Sequence, residues 1–133
     1  MTPTDHTTGL LLFAHGARDP QWARPFQAVA ARCAAARGAQ RVALAFLEFM
    51  QPGLVDAGSA LVGAGCTAVD VVPLFLGAGG HVRKDIPVLM AQLQAAHPGV
   101  AFRLRPAIGE ADVVVDAMAA AALDPGRPVV ATT

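Results

Sequence analysis

Apolar residues gather in four short, nearly unbroken runs, at 10–14, 42–47, 68–72 and 100–104. Runs without strict alternation are typical of strands covered on both faces, as in parallel sheets. Between the runs the apolar spacing becomes helical. Trp22, Phe26, Val29, Ala30 and Cys33 form one stripe behind Asp19-Pro20. Aspartate is a good N-cap and proline suits the first helical position, so a helix is expected from Pro20 to a stop at Gly38. A second, glycine-weakened helix is expected over 52–62. A third starts near Asp85, carries Ile86, Leu89, Met90 and Leu93 on one face, and ends at His97-Pro98-Gly99. A fourth, over 110–123, turns Val113, Val114, Ala117, Met118 and Ala121 inward.

Strands alternating with helices of this length imply βαβ units. Right-handed crossovers leave few topologies. The expected fold is α/β: a flavodoxin-like, four-stranded parallel sheet in the order 2-1-3-4, with helices on both faces. One domain is expected over 9–123, after a disordered leader at 1–8 and before a loose tail at 124–133.

Composition narrows the function classes. Hydrophobic residues make up 54% of the chain and charged residues 15%, the reverse of a disordered chain. Formal net charge is zero and no dense Lys/Arg cluster occurs, which argues against nucleic-acid binding. Cys33 and Cys66 lack metal-binding spacing and read as small buried hydrophobes in a reduced compartment. The first residues lack the basic and apolar regions of a signal peptide, and no apolar run is as long as a membrane span. A cytoplasmic protein is expected.

Open parallel sheets bind ligands beyond the carboxyl ends of their strands, where the strand order reverses. In the order 2-1-3-4 that point lies between the first and third strands. The loop after the first reads His15-Gly16-Ala17-Arg18-Asp19, and the loop after the third runs from Pro73 to His81. Each brings one histidine to the crevice. Two imidazoles there suit an open metal site or proton acceptance from a substrate. They also suit a solvated rim. Glu48, at the end of the second strand, is a third candidate, as a ligand or base, or simply as a cap for the helix that follows. The Gly77–Gly80 stretch matches neither a Walker A loop nor GxGxxG. It reads as a loop whose backbone, at Gly79 and Gly80, lets a flat ligand approach. Arg18, Arg83 and Lys84 lie beside the histidines and either pair with substrate carboxylates or form an ordinary solvated rim.

The segments His15-Gly16-Ala17-Arg18-Asp19-Pro20, Phe46-Leu47-Glu48-Phe49-Met50-Gln51-Pro52, Val72-Pro73-Leu74-Phe75-Leu76, Gly80-His81-Val82 and Asp85-Ile86-Pro87 resemble, in order, the CbiX/SirB sirohydrochlorin chelatases. The resemblance implies a chelatase-like fold in its short, single-domain form, pairing as a homodimer. It implies insertion of Co²⁺, Fe²⁺ or Ni²⁺ into sirohydrochlorin, in cobalamin or siroheme biosynthesis, with the metal as substrate and no organic cofactor. The family's metal-handling histidines map onto His15 and His81, and a supporting glutamate maps onto Glu48. Arg18, Arg83, Lys84, Gly79 and Gly80 are the expected substrate-binding positions. The chain departs from the family's common His-Gly-Ser-Arg at Ala17, so a serine hydroxyl is unavailable there. A non-catalytic metal or tetrapyrrole carrier of the same fold is the alternative.

Overall fold

The computed structural model describes residues 7–77 and 79–126, and of His81 the backbone. The order of elements is β1 (Thr8–Ala14), α1 (Arg24–Arg37), β2 (Val42–Phe46), α2 (Leu54–Gly63), β3 (Ala68–Pro73), α3 (Gly80–Ala96), β4 (Ala101–Leu104) and α4 (Asp112–Leu123). Short 3-10 turns precede α1, β2 and α4, at Pro20–Ala23, Ala39–Arg41 and Ile108–Glu110. The strands form one sheet in the order β2-β1-β3-β4, every pair parallel. Leu10 of β1 lies beside Val42 of β2 and Asp70 of β3, which sets the register. Each strand is placed within two residues of the sequence-based expectation. β1 begins at Thr8, a buried residue assigned above to the leader. The remaining leader at 1–6 and the tail beyond 126 lie outside the described residues.

The main core lies between one face of the sheet and helices α2 and α3. Leu11, Phe13, Val69 and Val71 meet Leu54, Ala57 and Leu61 of α2 and Val82, Ile86 and Leu93 of α3. A smaller cluster on the opposite face joins Ala14 and Phe46 to Ala23, Trp22 and Phe26, whose two rings stand 4.5 Å apart.

Local chemistry accounts for the helix ends. The Asp19 carboxylate accepts from the Gln21 N–H at 2.9 Å, the expected cap. The turn it starts is 3-10, because Pro25 has no N–H to bond the Gln21 carbonyl, which accepts instead from Arg24. Gly38, at φ 101°, ends α1 and donates to the Ala34 carbonyl at 2.7 Å. Pro52 does not enter α2; its carbonyl accepts from the Phe46 N–H at 2.9 Å and closes the loop instead.

Three helix expectations are corrected. α3 begins at Gly80 rather than near Asp85, so His81, Arg83 and Lys84 belong to the first turns of a helix and not to a loop. The extended Gly79 is its N-cap, and Arg83 N–H donates to the Gly79 carbonyl at 3.0 Å. Pro87 inside the helix forfeits only the ladder bond to the Arg83 carbonyl, on a solvent-facing side. The stripe on α1 is only half covered: Val29 is exposed, and with Cys33 it lines an open apolar groove of about 540 Å³. The stripe on α4 is not turned inward: of its residues only Val114 is half-buried. α4 has no buried residue and packs chiefly on the 3-10 turn before it. Among the described residues no helix is long and apolar enough to cross a membrane.

Candidate functional site

The carboxyl ends of β1 and β2 are laced by backbone bonds that continue the sheet into the loops. Leu47 N–H donates to the Ala14 carbonyl at 2.9 Å, and Glu48 N–H donates to the His15 carbonyl at 3.1 Å. On the other side of β1, Leu74 N–H donates to the Phe13 carbonyl at 2.7 Å. His15 and Glu48 thereby face one another, and the imidazole Nε2 stands 2.9 Å from the Glu48 Oε2. The edge of the Phe75 ring, from the loop after β3, supports the imidazole with centroids 6.2 Å apart.

Gly16 makes this approach sterically feasible. Its φ is +95°, and a Cβ there would run into the Glu48 carbonyl oxygen. Only glycine combines that backbone region with so close a neighbour. Phe49 also takes a positive φ, 66°, and stands in solvent beside Glu48. The Arg18 guanidinium lies 4.7 Å from the centre of its ring, a cation–π contact that holds the arginine at the mouth. Behind this pair a hollow of about 340 Å³ is lined by Ala17, Pro20, Gln27, Phe46 and Met50 among others.

The geometry allows two chemical states. An ionised carboxylate only accepts, so in the free protein Nε2 donates its hydrogen to Glu48. The same 2.9 Å also matches two neighbouring corners of a metal's coordination shell. Nitrogen and oxygen ligands each about 2.1 Å from an ion, at a right angle, stand about 3 Å apart. Both side chains are two-fifths exposed, at 42% and 38%, so an ion can reach them from solvent. Among the described residues no three His, Cys, Asp or Glu side chains come together as a closed metal cage.

The structure thus brings together two of the three candidate catalytic residues, His15 and Glu48. His81 is the second residue of α3, which follows β3, the strand next to β1; the expectation for its imidazole lies outside the described part of the structure. Arg83 and Lys84 are exposed in the first two turns of α3. Gly79 and Gly80 are exposed, and a Cβ on either would meet nothing within 4 Å, so their backbone is open to a ligand. His97 serves a structural end: its Nε2 pairs with the Ser59 hydroxyl at 2.7 Å and joins α3 to α2. His6 lies outside the described residues. A larger hollow of about 750 Å³, around Gln94, Pro98 and Val100, has no titratable side chain in its lining. The supporting ring of Phe75 and the Phe49–Arg18 stack were not foreseen from sequence. Only the glycine after His15 hints at a tight approach.

Comparison with known proteins places the chain in a family. A family model described as CbiX matches residues 9–124. A sirohydrochlorin cobaltochelatase of Saccharolobus islandicus (strain L.S.2.15) is 37% identical over 84 residues, 62% of each chain. The chain therefore spans less than two thirds of that relative's length. A cobalamin (vitamin B12) biosynthesis CbiX protein from Marinobacter aquaeolei VT8 superposes with a TM-score of 0.76 at 33% identity, over 86% of this chain and 93% of the other. The sirohydrochlorin chelatase SirB from Bacillus subtilis subspecies spizizenii, solved in complex with cobalt, superposes with a TM-score of 0.74 at 29% identity. That match covers 86% of this chain and only 49% of SirB.

Proposed function

The chain belongs to the CbiX family, and from that membership and the paired His15 and Glu48 we propose that it is a metal chelatase. It inserts a divalent metal, Co²⁺, Fe²⁺ or Ni²⁺, into sirohydrochlorin. The product serves cobalamin or siroheme biosynthesis. The observation that carries the reading is the 2.9 Å approach of Nε2 and Oε2 at the carboxyl end of β1, beside the reversal of strand order.

The metal is the substrate, and the protein holds it only briefly. The ion replaces the hydrogen bond between His15 and Glu48, and the imidazole's one proton passes from Nε2 to Nδ1 so that the Nε2 lone pair can meet the ion. His81 completes the metal-handling set. Two pyrrole N–H protons must leave as the ion enters the macrocycle. Transfer of the ion frees one imidazole nitrogen and one carboxylate, so each proton has a base beside it. A closed four-ligand site would hold the ion too firmly for release. Arg18, Arg83 and Lys84 meet the carboxylates of the tetrapyrrole, and the open backbone at Gly79 and Gly80 lets its flat face approach. The chain works as a homodimer, because one copy matches only half of a SirB chain. Cys33 and Cys66, neither of them in a disulfide, suit the reducing cytoplasm.

The test is anaerobic turnover of sirohydrochlorin with Co²⁺, Fe²⁺ or Ni²⁺, followed by the absorbance of the macrocycle against a no-enzyme control. Multiple turnovers are expected for the wild type, and near-background rates for His15→Ala with its melting temperature almost unchanged. Stoichiometric binding without turnover would instead identify a carrier.

A further inference from the structure

We propose that α4 is exchanged between copies, the helix of one chain lying in the open apolar groove of a second. The proposal rests on the homodimer reading above and deepens it by naming the segment that each copy gives and the surface that receives it.

The groove lies on the face of the sheet opposite the main core. Leu10 and Leu12 of β1, Val72 of β3, and Phe26, Val29 and Cys33 of α1 line it, with no charged side chain in its wall. A sheet face this apolar is normally covered by a helix. In an order of β2-β1-β3-β4, α2 and α3 cover one face, and only α1 covers the other. Among the described residues one helix is left to complete that side, α4.

α4 has the composition of a buried helix. Of its 12 residues only Asp112 and Asp116 are charged, and they share one side. Val114, Ala117, Met118 and Ala121 form an apolar stripe opposite them. Yet the helix stands in solvent, with Val113 at 73% and Leu123 at 80% exposure. A helix so uniformly apolar is stable only when covered, and one this short does not persist in water unaided.

Its stem explains why it leaves its own groove open. Ile108 still lines the groove. Gly109 is held there by its N–H, which donates to the Phe75 carbonyl at 2.9 Å, and by backbone contact so tight that a Cβ would strike Leu76. From this fixed point the chain heads outward, and α4 packs on the preceding turn rather than on the sheet. An uncovered helix and an uncovered groove of matching character thus occur in one chain that does not bring them together. Two copies related by a two-fold axis satisfy both at once.

The experiment uses the full chain with Met118 replaced by the photoreactive p-benzoylphenylalanine, prepared separately with ¹⁴N and ¹⁵N, mixed in urea, refolded together so that the copies pair at random, and irradiated. Mass spectrometry should find mixed-isotope cross-links from α4 to peptides holding Phe26, Val29 or Cys33. The same probe at Val115, on the flank of the stripe, guards against disruption by the probe itself. Cross-links of one isotope only would show that the helix folds back on its own groove and would overturn the exchange. A dimer mass by light scattering with no cross-link to the groove would also overturn it, while leaving the homodimer intact. A monomer mass at micromolar concentration would remove the homodimer and the exchange together. In unlabelled protein the Cys33 thiol should react with a disulfide reagent at least about tenfold more slowly in the wild type than in Met118→Glu, as cover by a partner helix requires. Equal rates would count against the exchange.

Discussion

The carboxylate of Glu48 carries two separable properties, a hydrogen-bond acceptor and a charge. Glu48→Gln keeps the first and loses the second, because the amide oxygen still accepts from Nε2 of His15. Partners of this kind typically cost about 10–100-fold in metal affinity or activity when changed. Chelation should therefore fall by about that factor in Glu48→Gln, measured as an initial rate at limiting metal. Stability should hold within about 1 kcal/mol, since a half-exposed pair contributes no more than that. An unchanged rate would reduce Glu48 to a hydrogen-bond partner. Both residues were legible in the sequence because each closes an apolar strand run. Their contact was not. It depends on the register that places Ala14 beside Phe46 and on the glycine that lets the two loops touch. Phe49 gave no warning either, since nothing in a phenylalanine announces a positive φ.

The pairing of α2 with α3 shows what element-level packing demands. Gly58 of α2 faces Leu93 of α3, which is fully buried, and a Cβ at 58 would stand 2.5 Å from Leu93 Cδ1. Alanine is favoured over glycine in a helix by about 1 kcal/mol. Overpacking a full core costs about 1–3 kcal/mol. The second effect should win, so Gly58→Ala should lower stability by about 1 kcal/mol in a urea melt; a more stable variant would mean that Leu93 has room to turn. From sequence, Gly58 was only a weakness in a helix, because its reason for being small lies on another element. The alternation of strand and helix was plain, yet the start of α3 was placed late. Asp85-Ile86-Pro87 imitates a helix start, whereas the actual start uses Gly79, which has no capping side chain. The stripe on α4 suggests an inward face because periodicity tells which side of a helix is apolar and not what covers it.

At the scale of the whole molecule, right-handed crossovers narrow the strand order to a few topologies, and the flavodoxin-like order 2-1-3-4 chosen among them is the one observed, with the histidine loop at the expected end of the sheet. The two laced ends of the structure have a further consequence in amide hydrogen exchange. Leu47 and Leu74 are bonded to β1 itself, Glu48 to His15 in the loop after it, and Gly109 to Phe75, whose ring supports His15. None of these amides can lose its bond without disturbing a neighbour in the same set. They should open as one cooperative unit, exchanging deuterium at a shared rate distinct from that of the exposed helix α4. Resolved amide rates for Glu48, Leu74 and Gly109 that differed by orders of magnitude would break the unit apart. A shared rate would mean that the stem of α4 and the His15 loop open and close together, so that each opening of the stem also loosens the support of His15.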